Sequence, residues 1–260
     1  MTTDTLTTVR QLRVLPATLV LAVIVIECAA WYAGVTTGPA KWALAVAEMA
    51  LLLALLWNGW RMRRFIATHT TAHLPRLVAT LVFASLAICL LGDLVNRNLP
   101  PRFFAYDNVI EHSYLADSVW FFFPGYALFI VAAWRASRAR IAAYWYAPTL
   151  LLAGVAGTLL FLDMLPEGTA AYIRIMTGAY TILIAMMVPA ALWILLAFGR
   201  RSWPVALGAV LATVADALIG QFWLFGTGWF PAIAFINLMV YFLSQALIQQ
   251  LPLVVLAQQE

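Results

Sequence analysis

The sequence predicts an all-α, polytopic transmembrane bundle of eight helices, and three observations lead there. Of 260 residues, 65% are hydrophobic and only 10% are charged; the mean hydropathy is +0.92. A water-soluble domain of this length needs far more polar surface to cover itself. The apolar runs are unbroken over roughly twenty residues, the length of a membrane helix, whereas barrel strands alternate apolar and polar over about ten. The arginines fall in short clusters between those runs, as insertion topology requires, and form no continuous basic face. The net charge of +4 therefore speaks for a membrane and not for nucleic acid.

Eight spans are expected, at about 14–34, 41–60, 76–95, 116–135, 143–163, 172–198, 203–223 and 229–251, within a single transmembrane domain covering 1–260. The first run follows Arg10 and Arg13 but is too long for a signal-peptide core, so it is read as a span. The connectors alternate in charge. One side receives Arg10, Arg13, Arg61, Arg63, Arg64, Arg76, Arg135, Arg138, Arg140, Arg200 and Arg201; the other receives Lys41, Arg97, Arg102 and Arg174. That asymmetry puts the N- and C-termini in the cytoplasm, in an integral, multi-pass protein of the inner (plasma) membrane if the cell is bacterial. The connector at 96–115 is too short for a soluble domain.

Most acids go to the other leaflet. Glu27, Glu48, Asp93, Asp117, Asp163 and Asp216 are expected in or at the outer halves of their spans, with Asp107, Glu111 and Glu167 in outer loops. The positive-inside rule gives acids little weight, so this segregation asks for another cause. Asp216 shares one helical face with Gly208, Ala212 and Gly220, a face of small residues that lets another helix approach closely. Polar stripes recur at helical spacing: Asn237, Tyr241, Gln245 and Gln249 in the last span, and Ser85, Cys89 and Asp93 in the third. Thr177 and Tyr180 join them from the sixth. Lipid offers these groups no hydrogen-bond partner, so they should face the bundle interior. The simplest arrangement is an outward-open cavity lined by Glu27, Glu48, Asp93, Asp216, Asn237 and Tyr241.

Each of these residues also has a plain structural reading. Intramembrane carboxyls can serve as helix-packing hydrogen bonds, but they mark functional sites by default. Trp31, Trp42, Trp120, Trp223 and Trp229 fit an interfacial aromatic belt better than a stacking site. Cys28 and Cys89 lie in apolar runs and read as buried thiols, not as a disulfide framework. His69 and His73 have the i, i+4 spacing of metal ligands, but no third ligand lies near them in the sequence; no metal and no cofactor is expected. His112 reads as a solvated loop residue. Lys41, the only lysine, stands at a span end, so no retinal Schiff base can form deep in a helix. Nucleophile-elbow, zinc-protease, P-loop and dinucleotide motifs are absent from the sequence.

Four segments, CLLGDLVN (89–96), YTILIAMMVPAAL (180–192), GAVLATVADALIG (208–220) and NLMVYFLSQALI (237–248), with PGYALFIVA (124–132) as a weaker fifth, resemble the YhhN-type lysoplasmalogenases. Those are eight-span membrane enzymes that cleave the vinyl ether of lysoplasmalogens. The resemblance carries the family's two aspartates onto Asp93 and Asp216. Ala133 stands where the family often has histidine, and Ala215 where serine usually precedes the second aspartate.

Vinyl-ether hydrolysis suits these residue types. It needs one carboxylic acid to protonate carbon and one carboxylate to stabilise an oxocarbenium ion and deprotonate water. Asp216, the deeper, is the expected acid and Asp93 the expected base, although the two roles are exchangeable. Tyr180, Asn237, Tyr241 and Gln245 would orient the oxygens of a lipid or lysolipid, with Glu27 and Glu48 also on the substrate-binding wall. Two other readings use the same residues: a proton- or cation-coupled transporter, and a non-catalytic lipid- or partner-binding membrane protein.

Overall fold

A computed structural model describes residues 3–35, 37–97, 104–106, 109–224 and 233–258. Among them, seven helical stretches are long and apolar enough to cross a membrane. They comprise α1 (Thr3–Tyr32), α2 (Gly38–His69), α3 (His73–Asn96), α4 (Tyr114–Ser137) and α5 (Tyr146–Met164). Then comes the long run Ala171–Gln221, containing α6 (Ala171–Ala185), α7 (Met187–Phe198) and α8 (Trp203–Leu218). The seventh holds α9 (Ile233–Ile248) and α10 (Leu251–Leu256).

Prolines explain the breaks. Pro189 has no N–H to give Ala185, and the helix tightens at Met186, whose N–H reaches Leu183 O at 3.0 Å. Pro252 similarly separates α9 from α10. In the long run the chain reverses at Gly199–Ser202, where Gly199 takes φ of +66°, a conformation that favours glycine. The two arms then pack together, and Thr213 Oγ1 donates to Ile184 O at 2.9 Å. Pro16 inside α1 would leave the Leu12 carbonyl without its helical donor. Asn58 Nδ2 supplies one at 3.1 Å, and Gln250 Nε2 lies at 3.5 Å. Asn58 also gives a hydrogen bond to Gln249 Oε1 at 3.0 Å, which ties α1, α2 and the α9–α10 junction together.

The bundle centre is α3 against α4 and α8 against α9, both brought close by glycine. A Cβ on Gly125 would meet Cys89 Sγ at 2.5 Å, and one on Gly208 would meet Leu247 Cβ at 2.7 Å. Ser244 Oγ donates to the Gly208 carbonyl at 2.8 Å, using the same proximity. Tyr126, Phe129, Trp193 and Phe242 fill the interior. Outward faces remain apolar, most of all on α5, where Leu151, Leu152, Leu159, Leu160 and Leu162 are exposed, as lipid contact requires. Trp31, Trp42 and Trp120 are exposed, while the side chain of Trp223 and the whole of Trp229 lie outside the described residues, as do Asp107 and Arg102.

The structure differs from the sequence reading in several places. The 96–115 connector carries a small antiparallel pair, β1 (Phe104–Tyr106) and β2 (Val109–His112), so the fold is helical with one hairpin added. Strands this short have too little alternation to register as a pattern. Helices α1 and α2 extend well beyond the expected spans, since polar flanking turns continue a helix without disturbing its apolar stretch. His69 ends α2 and His73 begins α3, so their spacing is not that of one helical face. Cys28 is exposed on α1; only Cys89 is the buried thiol expected of both.

Candidate functional site

Asp93 is on the inward stripe of α3, one turn beyond Cys89 and two beyond Ser85; all three are buried. Tyr241 of α9 donates to Asp93 Oδ2 at 2.8 Å. Asp216 is near the end of α8, where the helix widens into a π-helical turn, Ile219–Leu224. The N–H of Ile219 is shared between the carbonyls of Ala215 and Asp216. Such turns re-aim side chains and recur at functional sites. Tyr126 and Tyr180 lie beside the Asp216 carboxyl, yet Asp216 Oδ2 and Tyr180 Oη make no hydrogen bond with a described residue.

Asp93 and Asp216 line one cavity of about 110 Å³, and their carboxyls are close enough to interact electrostatically. Glu27 from α1, Lys41 and Glu48 from α2, and Asn237 and Tyr241 from α9 complete its polar wall, with Arg97 just past the end of α3. Arg97 Nη1 makes an ion pair with Glu48 Oε2. Burial pulls the Arg97 guanidinium below its ordinary value and the Glu27 carboxylate opposes that shift; a guanidinium stays charged through such a change. Glu27 is 2% exposed, and its Oε1 is without a hydrogen-bond partner among the described residues, as is Asn237 Oδ1. Buried polar atoms are nearly always satisfied, so these are atoms that a polar ligand or water would engage.

A second cavity of about 180 Å³ adjoins the first between α4, α5, α6 and α8. It is mostly apolar, with Val119, Leu160, Met164 and Ile184 on its wall, and Tyr180 and Gly220 beside them. Asn96, Leu115, Phe122, Asp216 and Ile219 belong to both cavities. Asp216 therefore stands where a charged chamber meets a greasy one.

Seven of the eight sequence-derived site residues reach these two cavities. Glu27, Glu48, Asp93, Asp216, Asn237 and Tyr241 share the polar chamber, and Tyr180 faces the apolar one. Gln245 does not reach either. It is buried one turn below Tyr241, its Nε2 donates to Tyr126 Oη at 3.2 Å, and it borders a separate void of about 10 Å³ beside Asp93 and Tyr241. The face of Asp216 divides likewise: Gly208 and Ala212 pack against neighbours, whereas a Cβ on Gly220 would meet no atom of the described residues within 4 Å. Ala215 lines the chamber; Ala133 is buried in the closed core of α4, away from it. Arg97 and Lys41 were missed, because charges at span ends read as topology signals. Spacing held the clue: Arg97 follows Asp93 by one turn, and Lys41 precedes Glu48 by two. Among the described residues, no three His, Cys, Asp or Glu gather as a metal site.

An oily helical bundle with paired carboxyls at a polar–apolar boundary defines a class: a multi-pass membrane protein with a buried acidic site. The family model of the YhhN family matches residues 40–251, most of the chain and both aspartates, and the chain belongs to that family. No curated protein and no solved structure matches it.

Proposed function

We propose that the protein is a membrane hydrolase that cleaves the vinyl-ether bond of lysoplasmalogen-like ether lysophospholipids, with Asp93 and Asp216 as its acid–base pair. One observation carries the reading: the two carboxyls share a chamber, and one of them stands where that chamber meets an apolar cavity. A single-chain lipid has the same division, with a polar headgroup, a hydrocarbon chain and a vinyl ether between them. Membership of the YhhN family supports the same chemistry.

In this reading the chain lies in the apolar cavity and the glycerophospho group in the chamber, where Arg97 and Lys41 offer positive charge to phosphate. Asp216, protonated, gives its proton to the β-carbon of the vinyl ether, and the π electrons form the new C–H bond. The resulting oxocarbenium ion is stabilised by the ionised Asp93, which removes a proton from water as the water oxygen bonds to the α-carbon. The hemiacetal then breaks its bond to the glycerol oxygen, which takes a proton, and an aldehyde leaves. One water is consumed, and the proton gained at Asp93 balances the one lost from Asp216. Tyr241 keeps one Asp93 oxygen occupied, which leaves the other for water. Tyr180 and Asn237 offer hydrogen bonds to the ether and glycerol oxygens.

The chain is further read as crossing eight times with both termini in the cytoplasm. The chain reversal at Gly199–Ser202, which divides the run Ala171–Gln221, and the arginine asymmetry support this.

Carrying out the reaction in heavy water tests the mechanism. Carbon protonation places one deuterium on the carbon next to the aldehyde carbonyl and slows turnover. Aldehyde released without that deuterium would contradict it. Proton flux into liposomes with no aldehyde released would favour the transporter reading.

A further inference from the structure

At the arginine-rich end of the bundle, away from the acidic chamber, a groove of about 380 Å³ runs between α1 and the start of α8. Its floor is α9, through Leu243, Ala246 and Leu247; its walls are Ala17 and Val20 on one side and Pro204 and Val205 on the other. One exposed arginine tops each wall, Arg13 on α1 and Arg201 before α8. Neither makes an ion pair or a hydrogen bond with a described residue. The carboxyls that line the chamber are at the other end of the helices, and the side chains of Asp4 and Glu260 lie outside the described residues. We propose that this groove is a binding site for one anionic phospholipid, its phosphate between Arg13 and Arg201 and an acyl chain along α9.

The argument rests on charge complementarity joined to shape. Arginine binds phosphate through a planar fork of donors, and two forks on facing walls can hold one phosphate from both sides. An apolar trough below them suits the attached chain. A basic residue near a membrane surface contributes roughly 1 kcal/mol toward anionic lipid, so a pair should favour an anionic over a zwitterionic lipid by at least about tenfold. The site is separate from the hydrolytic one, and its occupancy is readable without any turnover.

Native mass spectrometry of the detergent-purified chain, titrated with phosphatidylglycerol or phosphatidylcholine, tests the proposal. The wild type is expected to retain one phosphatidylglycerol at roughly tenfold lower concentration than phosphatidylcholine. Arg13→Gln with Arg201→Gln should abolish that preference, whereas Arg61→Gln with Arg64→Gln, an equal loss of charge outside the groove, should keep it. Ala17→Phe, which fills the trough from an exposed position, should weaken retention of both lipids without lowering the melting temperature. Equal retention of the two lipids by the wild type would overturn the site. So would equal losses in the two arginine pairs, or an Ala17→Phe protein that binds as the wild type does.

Discussion

Tyr241 and Asp93 show how much rests on a single hydroxyl. The bond at 2.8 Å is buried, and removing it by Tyr241→Phe should cost about 1 kcal/mol of stability. Because it also positions the proposed base, turnover should fall by roughly tenfold to a hundredfold. Aldehyde release measured beside a melting curve separates the two effects; equal turnover in the variant would remove Tyr241 from the mechanism. Arg97 and Glu48 pose a different question, since a buried ion pair gains little over an apolar pair but is costly to break singly. Arg97→Met should destabilise by about 3 kcal/mol or more, because it leaves Glu48 buried and unpaired. The double variant Arg97→Met, Glu48→Met should melt above that single variant, and a purely additive loss would show that the two side chains are not energetically coupled.

Helix α8 and the π-helical turn that follows it each carry a glycine at helical spacing from Asp216, Gly208 and Gly220, and the two should respond in opposite ways. Gly208→Ala drives a Cβ toward the α9 backbone, 3.0 Å from Ile248 N, and overpacking of that kind costs about 1–3 kcal/mol. Gly220→Ala, beside the apolar cavity, meets no atom of the described residues within 4 Å and should leave the melting temperature unchanged or higher. Thermal unfolding of both checks the pair, and the reverse order would mean that α8 is not seated on α9 as described. Periodicity made much of this element level legible. The stripes through Asp93 and Tyr241 face inward as their spacing requires, and the small face of Asp216 brings α9 close. It could not say which turn of a stripe meets which cavity: Gln245 borders a separate void of about 10 Å³ together with Asp93 and Tyr241, not the chamber. Nor could it show that Arg97 and Lys41 turn inward, because a charge at a span end serves topology and chemistry with the same residue type. The hairpin β1–β2 was hidden for a simpler reason, its brevity. Breaks at Met186 and Gln249 follow from Pro189 and Pro252, but a proline in an apolar run does not announce whether the helix kinks or stops.

On the scale of the whole molecule, carboxyls collect around a chamber at one end, and Arg13 and Arg201 stand over an apolar groove at the other. The eight-crossing reading predicts that cysteines placed at both termini and in the Gly199–Ser202 turn are labelled from the same side of a sealed vesicle; labelling of the turn from the opposite side would contradict it. The chamber itself, with one carboxyl required protonated and its neighbour ionised, predicts a bell-shaped dependence of turnover on pH. The most direct test of the central claim is aldehyde release from an alkenyl lysophospholipid by the purified protein and by Asp93→Asn and Asp216→Asn, each shown to melt like the wild type. The account predicts stoichiometric aldehyde from the wild type and a loss of roughly a hundredfold or more in each variant. Folded wild-type protein that releases none, or variants that release it undiminished, would contradict it.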